Sequence, residues 1–206
     1  MAARYKVVLV GDKDVGKTSL FHRVLFGYFK DTDEENRSTL GFDCFEKSFS
    51  ALGDLVEVEL NDSPGKTRFE THQISSLYRS SNAVLLVYSV EDFASFSSLR
   101  CWMEECRYYM NAVGHHNILW VLVGNKSDLE SDITPEMVED FVSEMEIEHS
   151  FVVSAKTGDG VEEMFEKVIE VTHEMRLNSK VNVDPDRGIK LSSEETNRSN
   201  PSFCYC

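Results

Sequence analysis

Short apolar runs alternate with helical patterns from residue 5 to about residue 178. Two of the runs, 44–51 and 55–60, alternate apolar with polar residues, and the Leu52-Gly53-Asp54 stretch between them is a hairpin signature. The other runs are continuously apolar, as strands covered on both faces should be. They are 6–10, 83–90, 118–124 and 150–154. The pattern predicts six strands, one of them antiparallel to the rest.

Helical patterns lie between these runs, at 17–28, 67–79, 93–112, 135–146 and 160–178. Alternation of strands and helices predicts an α/β fold, with a mostly parallel six-stranded sheet and helices on both faces. We expect residues 1–178 to form this single domain. Residues 179–206 are polar and rich in Pro, Ser and Asn, without a helical stripe, which predicts a disordered C-terminal tail.

Composition and charge narrow the classes of function. The net charge of −15 argues against a nucleic-acid surface, because phosphate contacts need clustered Lys and Arg. No apolar run reaches the roughly 18 residues of a membrane span. The five cysteines are odd in number and lack the spacing of metal ligands, so we expect reduced thiols in the cytosol.

A glycine-rich motif follows the first predicted strand. Residues 11–18 read Gly-Asp-Lys-Asp-Val-Gly-Lys-Thr, which fits the phosphate-binding loop G-x-x-x-x-G-K-T. Its glycines let successive backbone N–H groups turn towards phosphate oxygens, and the following helix adds its positive end. Lys17 can neutralise phosphates and Thr18 can bind Mg²⁺. By itself, this loop indicates only a nucleoside triphosphate and the three-layer fold of P-loop NTPases.

Two later motifs indicate which base the bound nucleotide carries. Asn125-Lys126-Ser127-Asp128 follows the run 118–124, and Ser154-Ala155-Lys156 ends the run 150–154. The carboxylate of Asp128 only accepts hydrogen bonds, so it can take both the ring N–H and the exocyclic amine of guanine. Adenine presents the wrong donor pattern and would leave the carboxylate unpaired, which argues against an ATPase.

An aspartate and a glycine that could contact Mg²⁺ and phosphate follow the strand predicted at 55–60. Asp62 can hold a Mg²⁺-bound water, and the backbone N–H of Gly65 can approach a γ-phosphate. An ordinary turn aspartate is the alternative at this position, but the other motifs favour the magnesium role.

Taken in order, these motifs resemble those of small GTPases of the Ras superfamily, and the stretches 68–90 and 95–102 resemble the Rab branch. The resemblance implies binding of GTP or GDP with Mg²⁺, and GTP hydrolysis. It assigns nucleotide contacts to Gly11, Asp14, Val15, Gly16, Lys17, Thr18, Ser19, Phe29, Thr39, Gly65, Asn125, Lys126, Asp128, Ser154, Ala155 and Lys156. It assigns Mg²⁺ to Thr18, Thr39 and Asp62, and catalysis to Lys17, Thr39, Gly65 and Lys66.

Two departures from the family pattern concern hydrolysis. Lys66 stands where the family has the glutamine that orients the attacking water, and an ammonium group cannot accept a hydrogen bond from that water. Lys13 and Asp14 occupy loop positions where small residues are common, and Lys13 could crowd an incoming arginine finger. Both departures predict slow hydrolysis. The opposing interpretation is that either lysine offsets transition-state charge, and a further alternative is a GTP-binding scaffold that does not hydrolyse.

Two other departures concern partners. The segment from Phe29 to Thr39 is about three residues longer than usual and acidic, but it lacks the glycine and glutamate of a calcium loop. We therefore expect a mobile, solvated loop. The family's surface triad of two aromatic residues and a tyrosine occurs here as Cys44, Asn61 and Tyr78, so effector identity cannot be carried over.

The chain ends in Cys-Tyr-Cys, and this C-x-C ending is typical of doubly prenylated Rab proteins. Cys204 and Cys206 would carry geranylgeranyl groups, because one lipid gives only marginal membrane binding; the alternative is an unmodified pair. The resemblance further implies a monomer on the cytosolic face of an intracellular membrane, acting in vesicle trafficking. Its expected partners are an exchange factor, a GTPase-activating protein, a GDP-dissociation inhibitor and effectors, with no nucleic acid.

Overall fold

Six strands and five helices are formed by the residues that the computed structural model describes, which are 2–29, 43–63, 78, 80–111 and 117–181. The strands are β1 (Ala3–Val10), β2 (Asp43–Ala51), β3 (Asp54–Asp62), β4 (Ala83–Ser89), β5 (Leu119–Asn125) and β6 (His149–Val152). The helices are α1 (Lys17–Phe26), α2 (Phe93–Ser97), α3 (Leu99–Asn111), α4 (Pro135–Met145) and α5 (Val161–Val181).

The strands form one sheet in the order β2-β3-β1-β4-β5-β6. All neighbouring pairs are parallel except β2 and β3, which confirms the predicted fold class. The β2–β3 hairpin turns through Leu52 and Gly53, with φ angles of 50° and 87°. Positive φ at both central residues is what the tight type I′ turn requires, and it matches the twist of the two strands.

Helices cover both faces of the sheet because alternate residues of its strands point to opposite sides. In β1, Val7 and Leu9 pack in a cluster with residues of α1 and α5. Val8 and Val10 pack in a second cluster, with residues of α2, α3 and α4. Every residue of β4 is buried, as its continuously apolar sequence predicted.

Some element boundaries differ from those expected. The helix predicted at 93–112 is divided at Ser98, whose hydroxyl donates to the carbonyl of Ser95 at 3.0 Å and to a carboxylate of the phosphate loop. Helix α5 runs to Val181, three residues beyond the boundary expected at 178. Apart from Tyr78, the helix predicted at 67–79 lies outside the described residues, as does the tail from 182 onward. Among the described helices, none is long and apolar enough to cross a membrane.

Candidate functional site

The predicted motifs meet at one edge of the sheet. Strands β1, β3, β5 and β6 run in the same direction, so their carboxyl ends lie together. Leu9 of β1 is paired with Asp62 of β3, and Gly124 of β5 is paired with Val152 of β6. The phosphate loop, the Asn125 motif and the Ser154 motif follow these strand ends, where ligands bind in open α/β sheets.

The backbone of the loop at 11–16 requires glycine at both ends. A Cβ atom on Gly11 would lie 2.1 Å from the carbonyl oxygen of Val87. Gly16 has a φ of 92°, and a Cβ atom there would lie 2.2 Å from Nδ2 of Asn125. Asp14 also has a positive φ, 65°, which aspartate tolerates better than most residues. The loop therefore has the curled backbone that the motif predicted, with no room for a side chain at its closing glycine.

Lys17 lies inside this loop and is buried, with 5% of its surface exposed. Its ammonium group donates to the carbonyl oxygens of Gly11 and Asp12, at 2.9 and 2.7 Å. Burial lowers the pKa of Lys17 to about 8, against the opposing attraction of Asp62, Asp12 and Asp14. A buried ammonium at the first residue of a helix is suited to an anion, which would stabilise the charge that burial disfavours.

Asn125 connects the phosphate loop to the Ser154 motif. Its amide Nδ2 donates to the carbonyl of Val15 at 2.8 Å, and its Oδ1 accepts from the backbone N–H of Ala155 at 3.0 Å. Only 1% of Asn125 is exposed, so both hydrogen bonds are shielded from water. Arg23 of α1 adds a second connection by donating to the carbonyls of Ala155 and Lys156, at 2.9 and 2.6 Å.

The carboxylate of Asp128 lies beside these loops. Ser154 donates its hydroxyl to Oδ1 of Asp128 at 2.6 Å, and Nζ of Lys156 lies 3.7 Å from Oδ2. The hydrogen bond from Ser154 lowers the pKa of Asp128, and the Lys156 ammonium lowers it further. Asp128 is therefore ionised at neutral pH and accepts hydrogen bonds only, the property required for guanine. Lys126, with a φ of 67°, forms an ion pair with Glu91 at 2.7 Å.

A hydroxyl and a carboxylate lie together at the start of α1. The hydroxyl of Thr18 donates a hydrogen bond to Oδ2 of Asp62 at 2.5 Å, and Asp62 is fully buried. Next to it, the hydroxyl of Ser63 donates to the carbonyl of Leu9 at 2.6 Å, which holds the end of β3 against β1. Hydroxyl and carboxylate oxygens are the donors that Mg²⁺ prefers, so this pair fits the ion that the motifs imply.

Comparison with known proteins identifies the family. The family model described as "Ras family" matches residues 6–174. Ras-related protein RabF1 of Dictyostelium discoideum is 32% identical over 169 residues, covering 81% of this chain and 83% of that protein. Ras-related protein Rab-30 of Homo sapiens is 33% identical over 181 residues, covering 86% and 85%. The chain belongs to the Rab family of Ras-superfamily small GTPases. Ras-related protein Rab-33A of Mus musculus is 36% identical over 132 residues, covering 63% of this Rab protein and 52% of the relative.

Family membership agrees with the chemistry of the residues at the carboxyl ends of the parallel strands. Proteins of this family are GTPases that bind guanine nucleotide, generally with Mg²⁺. In this Rab protein, a curled loop that surrounds a buried lysine, an ionised carboxylate and a hydroxyl–carboxylate pair lie at the carboxyl ends of the parallel strands. The structure therefore brings together the sequence-predicted residues between Gly11 and Ser19, Asp62, and those from Asn125 to Lys156.

The remaining predicted positions of the Rab protein are Phe29, the three triad positions, and residues outside the described part of the chain. Phe29 is half-buried beyond the end of α1. Of the three triad positions, Cys44 is exposed whereas Asn61 and Tyr78 are buried, so only Cys44 presents its side chain to a partner. The predictions for Thr39, Gly65, Lys66, Cys204 and Cys206 fall on residues that the structure does not describe.

One residue of the Rab phosphate loop has a role that the motif did not reveal. Oδ1 of Asp12 accepts from Nε1 of Trp102 at 2.8 Å, and its Oδ2 accepts from the hydroxyl of Ser98 at 2.7 Å. These contacts attach the loop to the start of α3, while the carbonyl of Asp12 holds Lys17. Asp12 occupies a variable position of the motif, and its partners are more than eighty residues away, so no local signal could identify it.

We predict that Gly16→Ala destabilises this Rab protein more than Gly27→Ala. Both glycines have a positive φ, but Gly27 has open space where a Cβ atom would lie. The alanine at 16 must displace Asn125 from Val15, so we expect an additional loss of about 1–3 kcal/mol in the free energy of unfolding. Denaturant unfolding of the two variants measures the difference, and equal losses would show that Asn125 adapts without cost.

Proposed function

We propose that this Rab protein is a membrane-anchored GTP/GDP switch in intracellular vesicle trafficking that hydrolyses GTP slowly. The observation that carries the proposal is the junction at Asn125, which joins the loop around Lys17 to the loop beside Asp128. One rigid connection between a phosphate-binding and a guanine-selecting element is what a guanine nucleotide requires of its site. GTP would order the segments near Thr39 and Gly65, and hydrolysis would release them.

The phosphates would lie in the loop closed by Gly16. Backbone N–H groups of Asp14, Val15 and Gly16 would bind phosphate oxygens, and Lys17 would neutralise them. The hydroxyl of Thr18 would bind Mg²⁺, with Asp62 holding it through a water and with Thr39 completing the set. Bound Mg²⁺ would offset the negative charge that develops on the phosphates during hydrolysis. The remaining proposed phosphate contacts are Ser19 and Gly65.

Hydrogen bonds would select the guanine ring, and stacking against an aromatic side chain would hold it. Asp128 would accept from the ring N–H and the exocyclic amine, and the hydrogen bond from Ser154 would keep its carboxylate oriented. Phe29 would lie against the ring. The remaining proposed base contacts are Asn125, Lys126, Ala155 and Lys156.

Binding of GTP should be accompanied by proton uptake near pH 8. The pKa of Lys17 is about 8 without a bound anion, so its ammonium is half protonated at that pH, and phosphate raises the pKa. We expect uptake of about half a proton per nucleotide at pH 8, and more at pH 9. Calorimetry in buffers of different ionisation enthalpy measures it. The Lys17→Arg variant, whose side chain stays charged, is the control, and buffer-independent heats at both pH values would contradict this role.

Slow hydrolysis would follow from Lys66 and Lys13. Lys66 would take the place of a water-orienting glutamine without offering an acceptor. The ammonium of Lys13 lies 3.7 Å from Oδ2 of Asp14, and both side chains are about half exposed, so Lys13 projects from the outer surface of the phosphate loop. A side chain there would crowd an arginine supplied by an activating protein. The alternative function, a GTP-bound scaffold that does not hydrolyse, rests on the same two residues.

The C-terminal end would attach the switch to a membrane. Geranylgeranyl groups on Cys204 and Cys206 would supply two anchors, and the tail from 179 adds no net charge to attract anionic lipids. An exchange factor, a GTPase-activating protein, a GDP-dissociation inhibitor and effectors would regulate the cycle of a monomer on the cytosolic face. The buried positions of Asn61 and Tyr78 support a set of effectors different from those that recognise an aromatic triad.

Comparison of GTP with ATP tests the nucleotide-binding part of the proposal. We expect nucleotide-free full-length protein in magnesium buffer to bind GTP at least about 1,000-fold more tightly than ATP, because ATP leaves Asp128 unpaired. Isothermal titration calorimetry measures both affinities, with circular dichroism to confirm that the sample is folded. Equal affinities, or no heat with GTP, would overturn the proposed switch.

A further inference from the structure

Three aromatic side chains are exposed on the side of the sheet that α1 covers. Phe26 at the end of α1 is 45% exposed, Tyr28 beyond it is 53% exposed, and Phe45 of β2 is 45% exposed. The ring of Phe26 lies 5.5 Å from that of Phe45 and 6.0 Å from that of Tyr28, centre to centre. We call these three residues the aromatic face. A contiguous patch of large apolar side chains is unusual on a monomer and marks a binding surface.

The aromatic face is continuous with a groove between α1, β2 and α5. Residues 45, 47 and 49 of the edge strand β2 point to the same side, because side chains alternate along a strand. Phe49 packs on Phe165 of α5 with ring centres 5.2 Å apart, and both line a groove of about 530 Å³. That volume lies within the range of sites that accept a bound molecule or an apolar anchor of a partner.

The positively charged side chains of the groove already donate hydrogen bonds to backbone carbonyl groups. Lys47 donates to the carbonyls of Val24 and Leu25 at the end of α1, at 3.0 and 3.1 Å. Arg23 donates to the carbonyls of Gly27, Ala155 and Lys156. These two cations satisfy the end of a helix and a neighbouring loop, so they offer little to an anionic partner.

The negatively charged side chains of the groove have no ion-pair partner among the residues that the structure describes. They are Glu162 and Glu166, which are exposed and line the groove. They are four residues apart on α5, a spacing at which like charges destabilise a helix. A cationic group bound in the groove would relieve the repulsion on α5.

We propose that the aromatic face and its groove bind a segment of another protein that presents an apolar anchor flanked by Lys or Arg. Three other occupants fit less well. A second copy of this chain would place carboxylates against carboxylates. Anionic membranes and nucleic acids would be repelled by the same groups, and the net charge of −15 strengthens that repulsion. The proposal does not depend on nucleotide binding, since none of its residues lies at the phosphate loop.

A displayed library of random 16-residue peptides, selected on the purified full-length protein, provides the probe. We expect the recovered peptides to be enriched in Lys or Arg together with Leu, Phe or Trp. Synthetic versions are then titrated by fluorescence anisotropy against the wild type and three double variants. Phe26→Ser with Phe45→Ser removes the aromatic anchors, whereas Glu162→Gln with Glu166→Gln removes only charge. Phe93→Ser with Met137→Ser, at exposed apolar positions of α2 and α4, is the matched control.

The expected result is at least tenfold weaker binding to the aromatic variant, about threefold weaker binding to the glutamine variant, and unchanged binding to the control. The glutamine variant preserves shape, so it decides the question if the aromatic variant does not fold. Recovery of acidic peptides or of none, or equal affinity for wild type and glutamine variant, would overturn the proposal. Light scattering that shows a wild-type dimer lost in the aromatic variant would also overturn it, by identifying a second copy as the occupant.

Discussion

In the Asp128→Asn variant, the affinity for GTP should fall by about 100- to 10,000-fold. The asparagine amide turns a donor towards the exocyclic amine of guanine, so that hydrogen bond is lost, and the hydrogen bond from the ring N–H loses its charged acceptor; each change costs about 1.5–3 kcal/mol. Ser154 can still donate to the remaining side-chain oxygen, so the loop keeps its position. Xanthosine triphosphate carries a carbonyl in place of that amine, and the variant should bind it more tightly than the wild type does. Calorimetry with both nucleotides measures the exchange of preference.

The matched control is Asp132→Asn, the same chemical change at an exposed position four residues further on. It should leave both affinities within about twofold, since surface changes away from a site have small effects. If Asp128→Asn lost GTP and xanthosine triphosphate equally, the change would have damaged the loop. Asp128 would then not be the group that reads the base.

In the Lys66→Gln variant, single-turnover hydrolysis of GTP should become at least about tenfold faster, equivalent to about 1.4 kcal/mol of barrier. The glutamine amide can accept from and donate to the attacking water, whereas the native ammonium only donates. Rapid mixing of GTP-loaded protein with Mg²⁺, followed by phosphate release, measures the rate. Lys167→Gln, at an exposed position of α5, has the same change in charge and should leave the rate unaltered.

The outcomes separate the two proposed functions. Faster hydrolysis in the variant supports a slow switch whose rate Lys66 limits. Equal rates in wild type and variant would contradict the role given to Lys66 and would favour the interpretation that a lysine offsets transition-state charge. If neither protein hydrolysed GTP while both bound it, the scaffold function would replace the switch.

The fold could be predicted because its signals are local. Alternation in 44–51 and 55–60 identified the β2–β3 hairpin, and continuous apolar runs identified the buried parallel strands to within a few residues. The division of the predicted helix at Ser98 was not predicted, and one of the contacts made by Ser98 is distant in sequence. The hydroxyl of Ser98 donates to Asp12, 86 residues earlier in the chain, and helical periodicity contains no information on that contact.

The candidate site was only partly predictable. Its motifs specify residue types at fixed spacing, so Lys17, Asn125 and Asp128 could be named before their positions were known. The contacts that hold these residues in position could not be predicted. Arg23 and Asp12 lie at positions that the motifs do not specify, yet Arg23 connects α1 to the Ser154 motif and Asp12 connects the phosphate loop to α3. Such contacts join residues that are distant in the chain and depend on how whole helices pack.

The sequence by itself determined an α/β sheet with one antiparallel strand and a set of motifs for guanine nucleotide, because backbone periodicity and ligand chemistry are both encoded over a few neighbouring residues. Only the tertiary structure decided which side chains are buried and which meet. It buried Asn61 and Tyr78, lowered the pKa of Lys17, and placed Phe26 beside Phe45 on an exposed face. Burial and contact arise when separate strands and helices pack together, so no stretch of the chain could specify them alone.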